Sequence, residues 1–546
     1  MSPHSVVAVV FTSTVIYVTV AAGPTAQQAG GSIAAVTASK LETLKRDAAA
    51  DIDSRAKFTQ QTNDLLFSFA ELGFQEFETS KYIVRVLREN GFAVQEGVYG
   101  FPTAWIATWG SGKPVIALSA DLDGLPEASQ KPGVAYHDPI VDGGPGHGEG
   151  HNSGPAVLLT AAIAVKKMME REHLPGTIRL WPGVGNEPNG GKAWFVRDGF
   201  FKDVDVNLHS HVSSNFSVSW GNFAGAGLVS VEYFFKGQTA HTAAAPWNGR
   251  SALDAVELMD IGWNFRREHL RVEQRSHSVI TGGGGQPNVV PGSASVWYYF
   301  REIDYPHIKG LWDLGNRMAR AAAEMTDTEV SWRLIGAAWP EHMNRPLALA
   351  AYENMKRVGL PKWSEADQTL ARGVQAEVGS PVRGLATEVG RLGEEVPLAQ
   401  RRGGGGDDIG DVSWNLPTIL MSYPANIPGA PGHTWAASVA MATPIAHKGA
   451  TAGAKALAMT TLDVLLQPQL VSDAWDYFRN VQTKDQKYTS FLSRDDAPAT
   501  YVNARPMLEY RERQRPFYYD PARYPTYLDQ LGIAYPTIRR EPSGVR

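Results

Sequence analysis

The strongest constraint on the fold is a repeated pattern in which a short, largely apolar run is followed closely by acidic, amide or histidine side chains. Runs without alternation of apolar and polar residues are typical of strands buried on both faces. Four such runs occur, each with its following side chains: 115–118 before Asp121 and Asp123, 177–181 before Asn186 and Glu187, 204–208 before His209 and His211, and 418–421 before His433. A helical stretch at 155–172 separates the first two runs, and this alternation predicts an α/β domain with a mostly parallel sheet.

A glycine-rich loop, residues 146–152, adds two more candidate ligands, Glu149 and His151. One position separates them, so in an extended loop their side chains point the same way. The glycines between them let the backbone pass close to whatever these side chains bind. A polar surface turn is the alternative interpretation for this loop taken alone.

These candidate ligands fall where a parallel sheet binds its ligands, beyond the carboxyl ends of the strands. Each histidine taken singly is more often structural. Five nitrogen and oxygen ligands together, however, suit two divalent ions that share one carboxylate, and either Zn²⁺ or Mn²⁺ fits such a set. The candidate metal ligands are Glu149, His151, Glu187, His211 and His433.

The rest of the chain predicts further regions around this α/β domain. Residues 223–336 have a strand–helix–strand–helix pattern, which predicts a smaller α+β domain inserted into the first. The α/β domain would then comprise residues 31–222 and 337–480. Residues 481–546 are rich in Tyr, Arg and Pro, and we expect them to pack on the body as an extension.

The first 30 residues predict a secretory signal peptide or an uncleaved anchor, because the chain is apolar or small throughout from Val6 to Ala22. We therefore expect an exported protein with no other membrane segment. The net charge of −5 offers no basic excess to neutralise phosphates, which argues against a nucleic-acid partner. The absence of cysteine excludes disulfides, thiolate metal ligands and cysteine nucleophiles.

A set of motifs occurs in order along the chain: Asp121-Leu-Asp-Gly-Leu-Pro126, residues 146–152, Glu187 with Gly190-Gly-Lys192, residues 203–211, 240–246 and 249–258, Pro287-Asn-Val-Val-Pro291, and residues 410–414 and 431–433. This set resembles the M20 family of metallopeptidases and amidohydrolases, in its aminobenzoyl-glutamate hydrolase-like branch. The resemblance implies a homodimeric enzyme in which two divalent ions and a metal-bound hydroxide cleave the amide bond of a small molecule. The substrate would be an N-acyl or N-aroyl amino acid, or a dipeptide-like compound.

The resemblance also implies roles for the metal ligands. Glu149 would bridge the two ions, with His151 and His211 completing one site and Glu187 and His433 the other. Asp123 would lie behind the ligands and orient one of them.

Three residues of the inserted domain are implicated in the same way. His241 would reach into the partner subunit's active site and stabilise the tetrahedral oxyanion. Asn288 and Arg250 would contact the substrate or shape the dimer. A structural role at a helix N-terminus is the alternative for Arg250.

Two positions depart from the family pattern. Many relatives have Cys where Glu149 stands, and a carboxylate there is compatible with bridging. The family also has two adjacent glutamates, the first a general base, whereas here Asn186 precedes Glu187. An amide cannot accept the proton, and losing a positioned base costs on the order of 10²–10⁴-fold in rate. His147 or Asp408 could substitute, Glu187 could itself be the base, or the protein could be a slow or inactive member that binds metal and ligand.

Overall fold

The structure, a computed structural model, describes residues 38–222 and 225–539. The strands are β1 (Ala93–Glu96), β2 (Trp105–Ser111), β3 (Val115–Asp121), β4 (Gly176–Gly183), β5 (Val206–Ser213), β6 (Gly227–Lys236), β7 (Arg275–Gly282), β8 (Ser293–Glu302), β9 (Glu329–Ala338) and β10 (Thr418–Pro424). The helices are α1 (Ala38–Ser54), α2 (Ala56–Phe69), α3 (Phe77–Glu89), α4 (Ser153–Glu172), α5 (Lys192–Arg197), α6 (Ala252–Arg266), α7 (Tyr305–Met325), α8 (Arg345–Val358), α9 (Glu365–Glu377), α10 (Ile409–Ser413), α11 (Trp435–Ser438), α12 (Pro444–Leu466), α13 (Pro468–Tyr477), α14 (Ala504–Gln514) and α15 (Tyr527–Leu531).

The first sheet has six strands in the order β1-β2-β4-β3-β5-β10. β4, β3, β5 and β10 are parallel, and β2 and β1 extend the sheet antiparallel to them. All seven residues of β3 are buried, as expected for a central strand covered on both faces. The predicted α/β fold with a mostly parallel sheet is confirmed. The sequence pattern does not predict β1, which has four residues, three of them exposed, and therefore no apolar run.

Two helices, α4 and α12, pack against each other and against this sheet. Glycines allow α12 to approach β10 closely. A Cβ at Gly449 would lie 2.0 Å from the carbonyl oxygen of Pro424, and one at Gly453 would lie 2.7 Å from Cβ of Tyr423. This tight contact fixes the strand that leads to His433.

The second sheet is antiparallel, in the order β7-β8-β6-β9, with α6 and α7 packed against it. It is the smaller α+β unit that the sequence predicts between the two parts of the α/β fold. The pattern does not reveal β7. This edge strand exposes most of its residues, so its sequence carries little of the apolar signal that marks a buried strand.

The chain after α13 covers both sheets with little regular structure. Trp194 Nε1 donates to the carbonyl of Asp496 at 3.0 Å, and Trp339 Nε1 donates to that of Thr489 at 2.9 Å. The predicted signal peptide or anchor, residues 1–30, lies outside the described residues. Among the helices that are described, none combines the length and apolar character needed to span a membrane.

Candidate metal centre and substrate cleft

The five predicted metal ligands come together at the carboxyl edge of the parallel strands. Glu149 is central. Its carboxylate oxygens lie 3.4 Å from Nε2 of His433, 3.7 Å from Nε2 of His211 and 3.8 Å from Nε2 of His151. His151 and His211 face each other with 3.3 Å between their Nε2 atoms, and His433 Nε2 lies 3.8 Å from Glu187 Oε2. Glu149 therefore occupies the position from which one carboxylate can serve two ions.

These side chains fit divalent cations. One ligand atom each from Glu149, His151 and Glu187 lies within 4.8 Å of the others. Oε1 of Glu187 is buried and has no hydrogen-bond partner among the described residues. Burial raises the pKa of Glu187 well above its usual range, and the nearby charge of Glu149 raises it further. A bound cation would satisfy the lone oxygen and relieve the repulsion between the two carboxylates.

Asp123 holds two of the ligands in place. Its Oδ2 accepts a hydrogen bond from the backbone N–H of Glu187 at 2.9 Å, and its carbonyl oxygen lies 3.1 Å from Nδ1 of His151. Burial lowers the pKa of His151, but the neighbouring carboxylates, Asp123 first, outweigh burial and hold it well above its usual range. Asp123 thus lies where the predicted ligand-orienting residue is expected.

A second acidic cluster lies beneath the first. Asp121, His209 and Asp407 also bring possible ligand atoms together. Here the cation is already supplied by the buried Lys192, whose Nζ lies 2.7 Å from Oδ1 of Asp121 and 2.9 Å from Oδ1 of Asp407. His209 Nε2 lies 3.0 Å from Oδ2 of Asp121. We interpret this cluster as a charged support for the metal centre.

Asn186 is anchored to the same support. Its Nδ2 donates to Oδ1 of Asp408 at 3.0 Å. Asp408 also accepts hydrogen bonds from the backbone N–H of Gly191 at 3.2 Å and of Lys192 at 3.0 Å, and its Oδ1 contacts Nζ of Lys192. With its oxygens engaged in this way, Asp408 is poorly placed to accept a further proton.

His147, the other candidate substitute base, is buried. Its Nε2 lies 3.2 Å from the carbonyl oxygen of Leu66, and its ring packs against Phe67. Burial, with the charge of His151, lowers the pKa of His147 to about 3. The geometry therefore favours a structural role for His147.

The three residues predicted in the inserted domain lie apart from this cluster. His241 is exposed, and its Nδ1 accepts from the backbone N–H groups of Ala243 and Ala244 at 3.2 and 3.3 Å. Arg250 donates to the carbonyl of Gly249 at 2.8 Å and pairs with Asp327 at 3.2 Å. Oδ1 of Asn288 accepts from Gln286 at 2.7 Å. Their predicted roles toward substrate or a partner subunit remain predictions.

A cleft of about 1060 Å³ opens over the metal ligands, between the two sheets. Five of its lining residues come from β7 and β8 and are absent from the sequence-based prediction: Arg275, His277, Trp297, Tyr299 and Arg301. Arg275 pairs in register with Arg301, and His277 with Tyr299. The signal available in the sequence is the spacing by two of the last three, which places them on one face of a strand.

Arg301 is an unsatisfied cation in this wall. Its Nη1 is buried without a hydrogen-bond partner among the described residues. Burial lowers its pKa, and the guanidinium lies 5.3 Å from the ring centre of Tyr299. Tyr299 in turn donates to the carbonyl of Glu187 at 3.1 Å. A buried guanidinium so close to the metal ligands suits a ligand carboxylate.

Glu341 is a further carboxylate of the cleft that sequence reasoning missed. Its Oε1 accepts from the backbone N–H of Asp407 at 3.1 Å, and its Oε2 is buried without a partner among the described residues. Burial, together with the charge of Asp407, raises the pKa of Glu341 to about 8. No periodicity marks it, because it lies in the loop after β9.

Comparison with known proteins gives a consistent result. Residues 223–328 match the family model M20_dimer, described as a peptidase dimerisation domain. One of the subunits of the p-aminobenzoyl-glutamate hydrolase of Escherichia coli (strain K12) is 34% identical over 458 residues, covering 80% of this chain and 95% of that protein. A Xaa-Arg dipeptidase of Mus musculus is 27% identical, covering 81% and 94%. The crystal structure of an aminobenzoyl-glutamate utilization protein from Klebsiella pneumoniae shares the fold, with a TM-score of 0.52 and 17% identity, covering 78% and 98%.

The fold, the clustered ligands and these relatives define a metal-dependent enzyme that hydrolyses amide bonds. The chain belongs to the M20 family of metallopeptidases and amidohydrolases, in the branch that includes the p-aminobenzoyl-glutamate hydrolase relative.

Proposed function

We propose that this enzyme cleaves the amide bond of a small N-acyl or N-aroyl amino acid, or of a dipeptide-like molecule. One observation carries the proposal. The cleft that contains Glu149 and Glu187 also contains Arg301, whose Nη1 is buried without a hydrogen-bond partner among the described residues. An N-acylated amino acid has an amide carbonyl for the metal centre and a carboxylate for Arg301, separated by a short, fixed distance. The substrate classes named for the two relatives agree with this choice.

The proposal includes two divalent ions, Zn²⁺ or Mn²⁺, held by Glu149, His151, Glu187, His211 and His433. Such ions, when bound, lower the pKa of water and polarise a carbonyl oxygen. The chain's own groups would position the substrate and the ligands. Asp123 fixes Glu187 and His151, and Arg301 would hold the substrate carboxylate so that the amide bond lies over the metal ligands.

The test is hydrolysis of a panel of N-acetyl, N-benzoyl and p-aminobenzoyl amino acids and of dipeptides, by protein loaded with Zn²⁺, Mn²⁺ or Co²⁺. We expect turnover of at least one acylated amino acid, lost on chelation and in Glu149→Ala. Protein that carries two ions per chain and turns over none of the panel would contradict the enzymatic proposal.

A second candidate is a slow or inactive member of the family that binds metal and ligand. Asn186 favours it, because its amide donates to Asp408 and cannot accept a proton. The double variant Asn186→Glu with Asp408→Asn separates the two candidates. Activity found only in the double variant would favour the binding protein. Equal activity in wild type and double variant would show that another group accepts the proton.

We also propose a homodimer formed through the inserted unit. The family model that matches residues 223–328 is described as a dimerisation domain. β7 is an edge strand, and the neighbouring helix α6 exposes Phe265 by 77% and Ile261 by 51%. An unpaired strand edge beside exposed apolar side chains suits association with a second copy. Such a partner could bring its exposed His241 to the cleft.

Export of the protein remains a proposal, supported by the apolar run from Val6 to Ala22. Cell fractionation of tagged protein, with N-terminal sequencing of the mature chain, tests it. An unprocessed N-terminus in a soluble cytoplasmic fraction would contradict it.

A further inference from the structure

A C-terminal segment, residues 500–511, lies between the two sheets and contacts both. On the side of the second sheet, the Tyr501 hydroxyl donates to Oε2 of Glu232 at 2.8 Å, and the guanidinium of Arg333 lies 5.0 Å from the Tyr501 ring centre. On the other side, Gln75 Nε2 donates to the carbonyl of Val502 at 3.1 Å, and Arg511 pairs with Glu71 at 3.1 Å. The segment is therefore held at a fixed place where the two units meet.

This arrangement brings Asn503 into the wall of the cleft. Asn503 precedes α14 with φ of 63° and ψ of −1°, a left-handed conformation that asparagine adopts more readily than most residues. Its Nδ2 donates to the carbonyl of Gly73 at 3.1 Å. A Cβ on Gly73 would lie only 2.7 Å from Oδ2 of Asp123. One residue thus separates Asn503 from the carboxylate that positions Glu187.

The surroundings of Asn503 differ from those of Arg301. Near Gly73 the cleft is lined by the apolar side chains of Leu72, Leu125 and Pro126. Oδ1 of Asn503 accepts no hydrogen bond from any residue that the structure describes. The cleft therefore has an anion-binding wall on the second sheet. Facing it is an apolar wall on the first sheet, with one unused hydrogen-bond acceptor.

We propose that Asn503 is a specificity-determining residue that binds a polar substituent, such as an amine or hydroxyl, on the acyl group of the substrate. The acyl group would lie along the apolar wall while Arg301 binds the carboxylate at the other end. This assignment rests on the proposed function. It narrows the substrate class to amino acids whose acyl group is aromatic or similarly flat and carries a hydrogen-bond donor.

The test compares p-aminobenzoyl-glutamate with benzoyl-glutamate, which lacks only the amine. The variant is Asn503→Gly, because glycine keeps the left-handed backbone and removes the side chain. The control is Asn480→Ala, in the preceding part of the C-terminal region, whose Nδ2 donates to Asp476. Each protein is assayed for kcat and KM. Its binding of both probes is also measured by calorimetry without metal, so that turnover is not required.

We expect Asn503→Gly to weaken binding of p-aminobenzoyl-glutamate by about 3- to 10-fold, the effect of one hydrogen bond, with benzoyl-glutamate and kcat little changed. Asn480→Ala should leave both probes unchanged. Equal losses for the two probes, no loss for either, or failure of the wild type to bind either probe would overturn the assignment. Discriminating binding by a wild type that has no turnover would support it while contradicting the proposed hydrolysis.

Discussion

The side-chain amide of Asn186 donates a hydrogen bond to Oδ1 of Asp408 at 3.0 Å, where the family pattern has a carboxylate in place of Asn186. Asp408 lies beside Asp407, and Lys192 contacts both. An amide adds no charge to this buried group, whereas a glutamate would add another carboxylate. The amide is thus suited to the acidic support on which the metal centre rests.

Asn186→Glu should lower the free energy of unfolding by about 1 to 3 kcal/mol, because it buries a like charge against Asp408. Urea denaturation at pH 7 measures this change. Asn186→Gln, which keeps the amide, is the control. Adding Asp408→Asn to the glutamate variant should recover much of the loss. A glutamate variant as stable as the wild type would show that the charge of Asp408 does not govern this position.

Glu341 should make the stability depend on pH. Its pKa is raised from 4.5 to about 8 by burial and by Asp407, so the folded protein holds a proton that the unfolded chain releases. The stabilising contribution is complete below pH 4.5 and is lost as the pH rises through 8. Relative to wild type, Glu341→Gln should gain on the order of 1 to 3 kcal/mol between pH 5 and 9. The exposed Glu394→Gln should show no such gain, and parallel curves for wild type and Glu341→Gln would refute the assignment.

Metal content should depend on the central carboxylate. Wild type should bind two divalent ions per chain, whereas Glu149→Ala should hold fewer than one, because that residue contacts three of the ligand histidines. Elemental analysis after dialysis gives the stoichiometry. The control is His241→Ala, since that histidine is exposed and apart from the cluster. Chelation should also lower the melting temperature of the wild type by mass action. Full metal content in Glu149→Ala would rule out the bridging position.

Arg301→Met should raise KM for substrates with a free carboxylate by about 10- to 100-fold, the range expected for a charge-assisted hydrogen bond. Substrates in which the carboxylate is converted to an amide should be affected little. Arg46→Met, at an exposed site on α1, serves as the control. The same change for acid and amide substrates would mean that Arg301 supports the cleft without binding the carboxylate.

Phe265→Asp should convert the proposed dimer to a monomer, because it places a charge on the exposed apolar face of α6. Light scattering during size-exclusion chromatography measures the mass in solution. Leu508→Asp, at another highly exposed apolar residue, should remain dimeric. A monomeric wild type would contradict the dimer directly.

The parallel strands and the metal ligands could be predicted from the sequence for one physical reason. A strand buried on both faces must be apolar throughout, so the polar residues that follow it stand out, and the sheet then brings them to one edge. Glu187 and His211 illustrate this, since both were expected at strand ends and both lie beside Glu149 or His433.

The substrate-facing residues were not predictable in this way. Arg301 lies on a half-exposed strand, where a charged residue is ordinary, and only the tertiary structure shows that its guanidinium is buried. Glu341 lies in a loop, and Asn503 lies in a segment without periodicity. Their proximity to the metal ligands arises from long-range packing, which leaves no local pattern in the sequence.

The position of residues 500–511 has a consequence for how the enzyme matures during synthesis. All five metal ligands precede this segment in the chain, so the metal centre can assemble while the segment is still being made. Asn503 reaches the cleft only after both sheets exist for the segment to contact. An incomplete chain could therefore acquire its ions before it could select its substrate.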